Sequence, residues 1–509
     1  MFPQRLRRVA AGALLAAAWL LPAAHGSTAT LDLAAGGVRP PSSVAEIPAP
    51  PETLKNALNA QVQAARQIAR QLGVHVIDLR SGATIYSYEA DQLRILASNT
   101  KLLTSAAALD RLGPGYFFET RLLLRGTVTD GVLQGDLAIT GGGDPNISGR
   151  HSYGDPYAAF RPWAAALRQR GIHRVEGKTY LVHGLFDDGL IHPDWPRDQL
   201  TRWYEAPVSA LSFNDNCVVV RVWPGGHAGA PAQVQTVPRL PGLFQLRSSV
   251  RTSASARGTG VWVRRDPGSS VIQVGGAVYR GSQPVEVTLT VPDPVAYFGA
   301  ALRAALAEEG VELATEPVAS RRYPVGVWET IAVHRSDLLT TLEVQNKKSQ
   351  NFYAESVLKT LGAEACRRGD WAGGTEAVRE LLDRLGLPRN SYQLTDGSGM
   401  SRGNRFTPRQ MTTLLRFMFY HPWGNEFVRT LPYSGEPDLS WERRLATAPY
   451  RGNVFAKTGT LNGVSTLSGY ARGLSGRLYA FSILGNQTRS TWQARQSQDR
   501  ILRALIDQG

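Results

Sequence analysis

The chain has 509 residues, 43% of them hydrophobic and 19% charged, which supplies two or three packed domains and excludes wholesale disorder. Two cysteines exclude a disulfide-rich scaffold and a zinc site built from thiolates alone, and none of the nine histidines falls in an H-E-x-x-H pattern. The net charge of +14 rests on arginines scattered without a long basic run, and with no nucleic-acid-binding motif beside them no nucleic-acid partner is predicted.

In chain order, Arg5, Arg7 and Arg8 precede an apolar run from Val9 to Leu21, then Pro22 and the small-residue stretch Ala24-His25-Gly26. This order predicts a signal peptide over residues 1–26 and export to the periplasm. About 13 apolar residues are fewer than the roughly 20 that span a bilayer, so no stable transmembrane anchor is expected. Residues 27–51, rich in Ala, Gly, Ser and Pro, read as a linker. Export permits a disulfide between Cys217 and Cys366, and two separate buried thiols fit the sequence as well.

Helical spacing follows from Leu54 to Leu72. Two strand-like runs, Val74–Leu79 and Thr84–Tyr88, flank a turn containing Gly82. After Ser98 a helix is predicted with Leu102, Leu103, Ala106, Ala107 and Leu109 on its apolar face, stopped by Gly113-Pro114. From about residue 118 short β-rich runs dominate for some 200 residues, interrupted by helical patterns at Pro156–Arg170, with a break near Pro162, and at Pro294–Glu309. Another helix is expected from Phe352 to Leu361. Strands around Val454–Thr458, Ser465–Arg472 and Leu478–Leu484 and a helix from Trp492 to Ile506 close the chain.

Three short elements carry chemistry. The first is Ser98-Asn99-Thr100-Lys101 at a helix start. Residues three apart share a helix face, so the Lys101 amine reaches the Ser98 hydroxyl and acts as its base once burial lowers its proton affinity. A second S-x-x-K, Ser356 to Lys359, falls inside a helix, without the free N–H groups of a helix start, and is read as accidental. The second element is Ser349-Gln350-Asn351 after Lys347-Lys348; its hydroxyl suits proton transfer and its Asn amide suits orienting the lysine or a substrate carbonyl. Ser212-Phe213-Asn214 competes for this role from a β-rich stretch. The third, Lys457-Thr458-Gly459-Thr460 on a strand, offers a cation and a hydroxyl to a substrate carboxylate, with no side chain at Gly459 to block a ligand. If this strand runs beside the Ser98 helix, the N–H groups of Ser98 and Thr460 form an oxyanion hole.

The order S-x-x-K, S-x-N, K-T-G resembles the penicillin-recognising serine enzymes. About 250 residues separate Ser98 from Ser349, an insertion similar to the low-molecular-mass penicillin-binding proteins of the penicillin-binding protein 4 type, which are D-alanyl-D-alanine carboxypeptidases and endopeptidases. Leu137–Pro145, Ala206–Ser212, Asn346–Ser349 and Asp396–Arg402 also resemble that group, whereas Gln350 stands where the group more often has Asp. The resemblance implies an α/β serine β-lactamase/DD-peptidase-like domain, an antiparallel sheet flanked by helices, built from residues 52–118 and 325–509 with inserted β-rich domains over 119–324. It implies that Ser98 attacks a peptidoglycan stem peptide with Lys101 as base, that Ser349 and Lys348 assist proton transfer, and that Asn351, Lys457, Thr458, Gly459 and Thr460 support substrate binding. It further implies covalent inhibition by β-lactam antibiotics, contacts from Asp144 and Arg402 to the stem-peptide side chain, and no metal or organic cofactor. A β-lactamase or esterase on the same fold and a non-enzymatic envelope-binding module are the alternative readings.

Overall fold

The computed structural model describes residues 51–509. The predicted signal peptide and all of the linker except Pro51 lie outside the described residues. A five-stranded, wholly antiparallel sheet has the order Val454–Leu461, Val464–Arg472, Leu478–Thr488, Ala69–Asp78, Thr84–Tyr88. Its central strands are buried on both faces, and their side chains alternate between two cores. Val454, Ala456, Leu467, Phe481 and Ile483 pack under the helices Glu52–Arg66 and Thr491–Gln508. Phe455, Tyr470, Ala480 and Leu484 face the opposite core, with helices Thr100–Leu112, Asn351–Cys366, Trp371–Arg384 and Pro408–Tyr420.

The first helix ends at Arg66, short of the predicted Leu72. Residues from Ala69 instead pair with the strand Leu478–Thr488, Ala69 opposite Thr488 and Leu72 opposite Gly485, and the backbone bonds of the sheet override local helical preference. Pro162 does not break a helix but begins one, Arg161–Gln169, where its missing N–H costs nothing. Helices Leu338–Lys347, Trp371–Arg384 and Pro408–Tyr420 went unpredicted; Asp337, Asp370 and Thr407 cap them through their side chains.

The inserted region has its own core around Leu137, Trp163, Phe213, Phe298 and Leu302. It contains seven-, three- and four-stranded sheets and the helices Arg161–Gln169 and Pro294–Glu308. Strand Glu329–Asp337 pairs with Phe117–Thr129 in the seven-stranded sheet, so the inserted architecture runs to Asp337 rather than stopping at residue 324. Cys217 and Cys366 are both free thiols. Among the described residues no helix is long and apolar enough to cross a membrane.

Candidate active site

Ser98 lies in a one-turn 3-10 segment, Ala97–Asn99, that runs into helix Thr100–Leu112. Ala97 holds a left-handed backbone, φ 47°, an unfavourable conformation for a residue with a Cβ that turns the chain sharply just before Ser98. Gly399 packs against this turn so closely that a Cβ there would sit 1.8 Å from the Ala97 carbonyl oxygen. Lys101 is fully buried, with Nζ 3.0 Å from Ser98 Oγ, 2.7 Å from Asn351 Oδ1 and 2.8 Å from the Ser398 carbonyl. Burial disfavours its charged form and brings its pKa down to about 7, against the opposing pull of Glu355 and Asp396. A half-neutral amine in contact with the hydroxyl is the form a general base requires.

Ser349 occupies the corner between helices Leu338–Lys347 and Asn351–Cys366, with φ 56°. Its Oγ accepts from Lys457 Nζ at 2.9 Å. Two residues on, Asn351 Nδ2 donates to the Tyr204 carbonyl at 2.9 Å, which turns Oδ1 of the amide toward Lys101. Between them Gln350 is buried, and Nε2 donates to Asp215 at 3.1 Å, the carboxylate that also pairs with Arg150. Asp215 stands in a run of three left-handed residues, Asn214–Asn216, a conformation tolerated best by Asn and Asp. Tyr204, Asp215 and Arg150 all belong to the inserted region, which therefore reaches the residues around Lys101.

Strand Val454–Leu461 is an edge strand, and among the described residues backbone covers its outer side at the start, where Ala456 N–H donates to the Pro432 carbonyl. Period-two alternation puts the backbone groups of Thr458 and Thr460 on this same outer edge. Asn99, inside the first motif, ties the strand down: Nδ2 donates to the Lys457 carbonyl at 2.6 Å and Oδ1 accepts from Ser468. Gly459 lies against the Ser98 turn, where a Cβ would fall 2.8 Å from the Leu96 carbonyl oxygen and 2.9 Å from Ser98 N. The glycine is thus required by close backbone approach, in addition to leaving room for a ligand. Lys457 is fully buried; desolvation and the neighbouring Lys101 charge hold its pKa well below the usual lysine range.

Two buried carboxylates that the sequence reading did not assign support the lysine. Glu355 accepts from the backbone N–H of Gly397 and Ser398 and from Trp371 Nε1, while Asp396 accepts from Gly399 N–H, Ser401 N–H, Asn404 and Trp195. Together they fix the loop that aims the Ser398 carbonyl at Lys101. Burial and the Asp396 charge push the Glu355 pKa upward. The four-residue spacing from Asn351 to Glu355 on one helix face was the available signal.

A match to the D-Ala-D-Ala carboxypeptidase 3 (S13) family spans residues 54–506. The chain belongs to that family. It is 31% identical over 484 residues to a D-alanyl-D-alanine carboxypeptidase of Actinomadura sp. (strain R39), covering 89% of this chain and 87% of the relative. D-alanyl-D-alanine carboxypeptidase DacB of Haemophilus influenzae is 26% identical over 413 residues, 79% of this chain and 83% of the relative. The crystal structure of penicillin binding protein 4 from Haemophilus influenzae superimposes with a TM-score of 0.74 at 26% identity, covering 86% of this chain and 97% of that one. The chain is accordingly a serine D-alanyl-D-alanine carboxypeptidase of the penicillin-binding protein 4 type.

Within this S13 enzyme, Ser98, Lys101 and Asn351 form one hydrogen-bonded group and Ser349 and Lys457 another, and Asn99, next to Ser98, ties the two stretches together through the Lys457 carbonyl. Other expected residues lie elsewhere. Lys348 is exposed and donates to the Asp438 carbonyl at 3.3 Å; the ammonium beside Ser349 is that of Lys457. Asp144 is enclosed within the inserted region. Its side chain has no exposure, and its carboxylate accepts from Asn146 and Ser336 with His334 3.5 Å away, tying the Gly141–Gly143 turn to strand Glu329–Asp337. Arg402 is exposed, and Nη1 donates to the Asn462 carbonyl at the end of the Lys457 hairpin. The Thr460 hydroxyl accepts from Arg495, so its backbone N–H, not its side chain, is the group left for the cleft. Of the competing motifs, Lys359 pairs with Asp187 over the Trp371 ring, and Ser212 donates to the Ser209 carbonyl.

Proposed function

We propose that this S13 enzyme is exported to the periplasm and releases the terminal D-alanine of peptidoglycan stem peptides through an acyl-enzyme on Ser98. The observation that carries the reading is Lys101, buried, with a pKa brought to about 7 and its amine 3.0 Å from Ser98 Oγ. Lys101 takes the Ser98 proton as Oγ attacks the carbonyl of the penultimate D-Ala. The N–H groups of Ser98 and Thr460 receive the developing oxyanion. The departing amine takes its proton from Ser349 Oγ, which Lys457 resupplies across 2.9 Å. A substrate carboxylate arriving near Lys457 and Thr458 favours the charged form of that lysine, which burial disfavours. Asn351 keeps Lys101 in register, Gly459 lets the strand approach, and Arg402 at the cleft end suits an anionic group on the stem-peptide side chain. Water then hydrolyses the ester, its proton returning through Ser349 to Lys457 while Lys101 gives its proton back to Ser98 Oγ, which restores both lysines. β-Lactams follow the same path and leave a slowly hydrolysed adduct on Ser98.

The β-lactamase reading needs a base dedicated to fast deacylation. The carboxylates of Glu355 and Asp396 are committed to backbone N–H groups behind Lys101, which disfavours that role for them. Fluorescent penicillin labelling with peptide mapping tests the proposal. A long-lived adduct on the Ser98 peptide and loss of D-Ala release in Ser98→Ala are expected. D-Ala release from a pentapeptide by Ser98→Ala would refute the mechanism.

A further inference from the structure

Between Arg239 and Arg280 the chain carries seven arginines against one acidic residue, Asp266. Arg265 is buried and donates to the carbonyls of Asp266, Ser269 and Thr290. The other six are exposed, and among the described residues none of them joins an ion pair. Elsewhere in the inserted region several arginines are matched, Arg125 with Asp136, Arg170 with Glu329 and Arg221 with Glu286, although Arg197, Arg202 and Arg322 join no ion pair among the described residues. Charge in this stretch is thus concentrated and uncompensated, which the fold gains nothing from, because like charges within a screening length of about 10 Å repel.

The register of the four-stranded sheet puts three of these charges, Arg247, Arg251 and Arg264, on one side. Strand Val271–Tyr279 is paired on both edges, with Arg247 and Arg264 both opposite Gln273, Trp262 opposite Gly275, and Arg251 opposite Ala277. Directly opposed residues share a sheet face. The intervening residues Ile272, Val274 and Val278 are buried in the core of the inserted region, so the face with Arg247, Arg251, Trp262 and Arg264 is the outward one. Trp262 is 43% exposed and lies down on the sheet: a Cβ on Gly275 would meet its ring at 2.0 Å. The Arg264 guanidinium sits 5.1 Å from the Trp262 ring centre. Gln273 is exposed between Arg247 and Arg264, and Gln245 is exposed beside Arg247 at the end of the row.

We propose that this face binds an acidic glycan strand, separately from the catalytic cleft. A flat indole accepts the C–H face of a sugar ring, the glutamine amides match hydroxyl and acetamido groups, and guanidinia pair bidentately with carboxylates. A lipid surface is served by apolar side chains that project from the protein, and Trp262 does not project. Peptidoglycan, a glycan carrying carboxylate-bearing peptides, is the probe; that choice rests on the function proposed above, whereas the face itself is read from charge and register.

The full chain, blocked at Ser98 with penicillin, is sedimented with purified peptidoglycan sacculi at rising salt, beside Arg247→Gln/Arg251→Gln/Arg264→Gln and Trp262→Ala variants. The parent is expected to co-sediment and to be released by salt. Losing three exposed ion contacts weakens apparent affinity about tenfold, and Trp262→Ala weakens it several-fold, with penicillin acylation rate and melting temperature unchanged. Parent protein that stays in solution, or a triple variant that sediments like the parent, overturns the proposal. So does a selective effect of the variants on vesicles of phosphatidylglycerol and phosphatidylcholine, or on a single-stranded oligonucleotide, without one on sacculi. Failure of the enzymatic reading would appear separately, as loss of penicillin labelling in the parent.

Discussion

Gly459→Ala isolates the approach of the Lys457 strand to the nucleophile turn. The new Cβ would lie 2.2 Å from Thr466 Oγ1, 2.8 Å from the Leu96 carbonyl oxygen and 2.9 Å from Ser98 N. Thr466 can rotate away only by giving up its 2.8 Å hydrogen bond to that same Leu96 carbonyl, a buried bond worth about 1 kcal/mol. The two backbone contacts have no rotamer to relieve them. Against an ordinary contact of about 3.4 Å they require the strand and the turn to separate by roughly 0.5 Å. Overpacking of this kind costs about 1–3 kcal/mol of stability. The separation also displaces Thr460 N–H relative to Ser98, and misplacement on this scale reduces acylation by about 10- to 100-fold. The assay is the second-order rate of acylation by a fluorescent penicillin, read with the melting temperature. A variant that is destabilised but acylates within twofold of the parent would refute the link between strand approach and oxyanion stabilisation.

With the Lys101 pKa brought to about 7, the acylation rate should rise with pH through that value and level off above it, as the amine becomes neutral. The same shift has a stability signature. The unfolded lysine still holds its proton between about pH 7 and 10.5 where the folded one does not, so this group makes stability rise with pH across that window. A pH–acylation profile with a flat response from 6 to 8 contradicts the assignment. Lys457→Gln should lose 100-fold or more in acylation and Lys348→Gln less than about threefold, since Lys457 and not Lys348 contacts Ser349; equal losses would refute the proton path. Gln350→Glu sets a carboxylate against Asp215 and should slow acylation at least tenfold, whereas Gln350→Glu combined with Asp215→Asn restores one acid and one amide beside Arg150 and should recover most of the rate. A double variant no faster than the single one would show that the inserted region does not position Ser349 and Asn351.

Much of the catalytic half could be read in the sequence because its signals are local. The strand runs after Val74 and Val454 and the helix after Ser98 are short-range patterns of apolar spacing and turn residues, and the structure keeps them with shifted ends. Helix Leu338–Lys347 escaped notice because its residues are buried against several neighbours, which blurs the amphipathic stripe that periodicity detects, whereas Trp371–Arg384 keeps a stripe of Ala377, Val378, Leu381 and Leu382 but opens on Gly373-Gly374, which reads against a helix. Glu355 and Asp396 escaped for a different reason: spacing from Asn351 puts Glu355 on the same helix face, but neither that spacing nor an acid in a loop tells whether the carboxylate is solvated or folded under a lysine.

Alone, the sequence determined which groups of atoms are available and in what local backbone setting: a hydroxyl and an amine three residues apart on a helix, a hydroxyl at a helix corner, a lysine on a glycine-bearing strand. The tertiary structure decided which of them touch. Lys348 is adjacent to Ser349 in the chain yet turns to the Asp438 carbonyl, while Lys457, more than a hundred residues away, supplies the ammonium. Asp144 is polar and follows three glycines yet is buried among its own hydrogen-bond partners. Strand register, helix packing and the reach of the inserted region across to Gln350 and Asn351 set those distances, and none of these is a property of neighbouring residues.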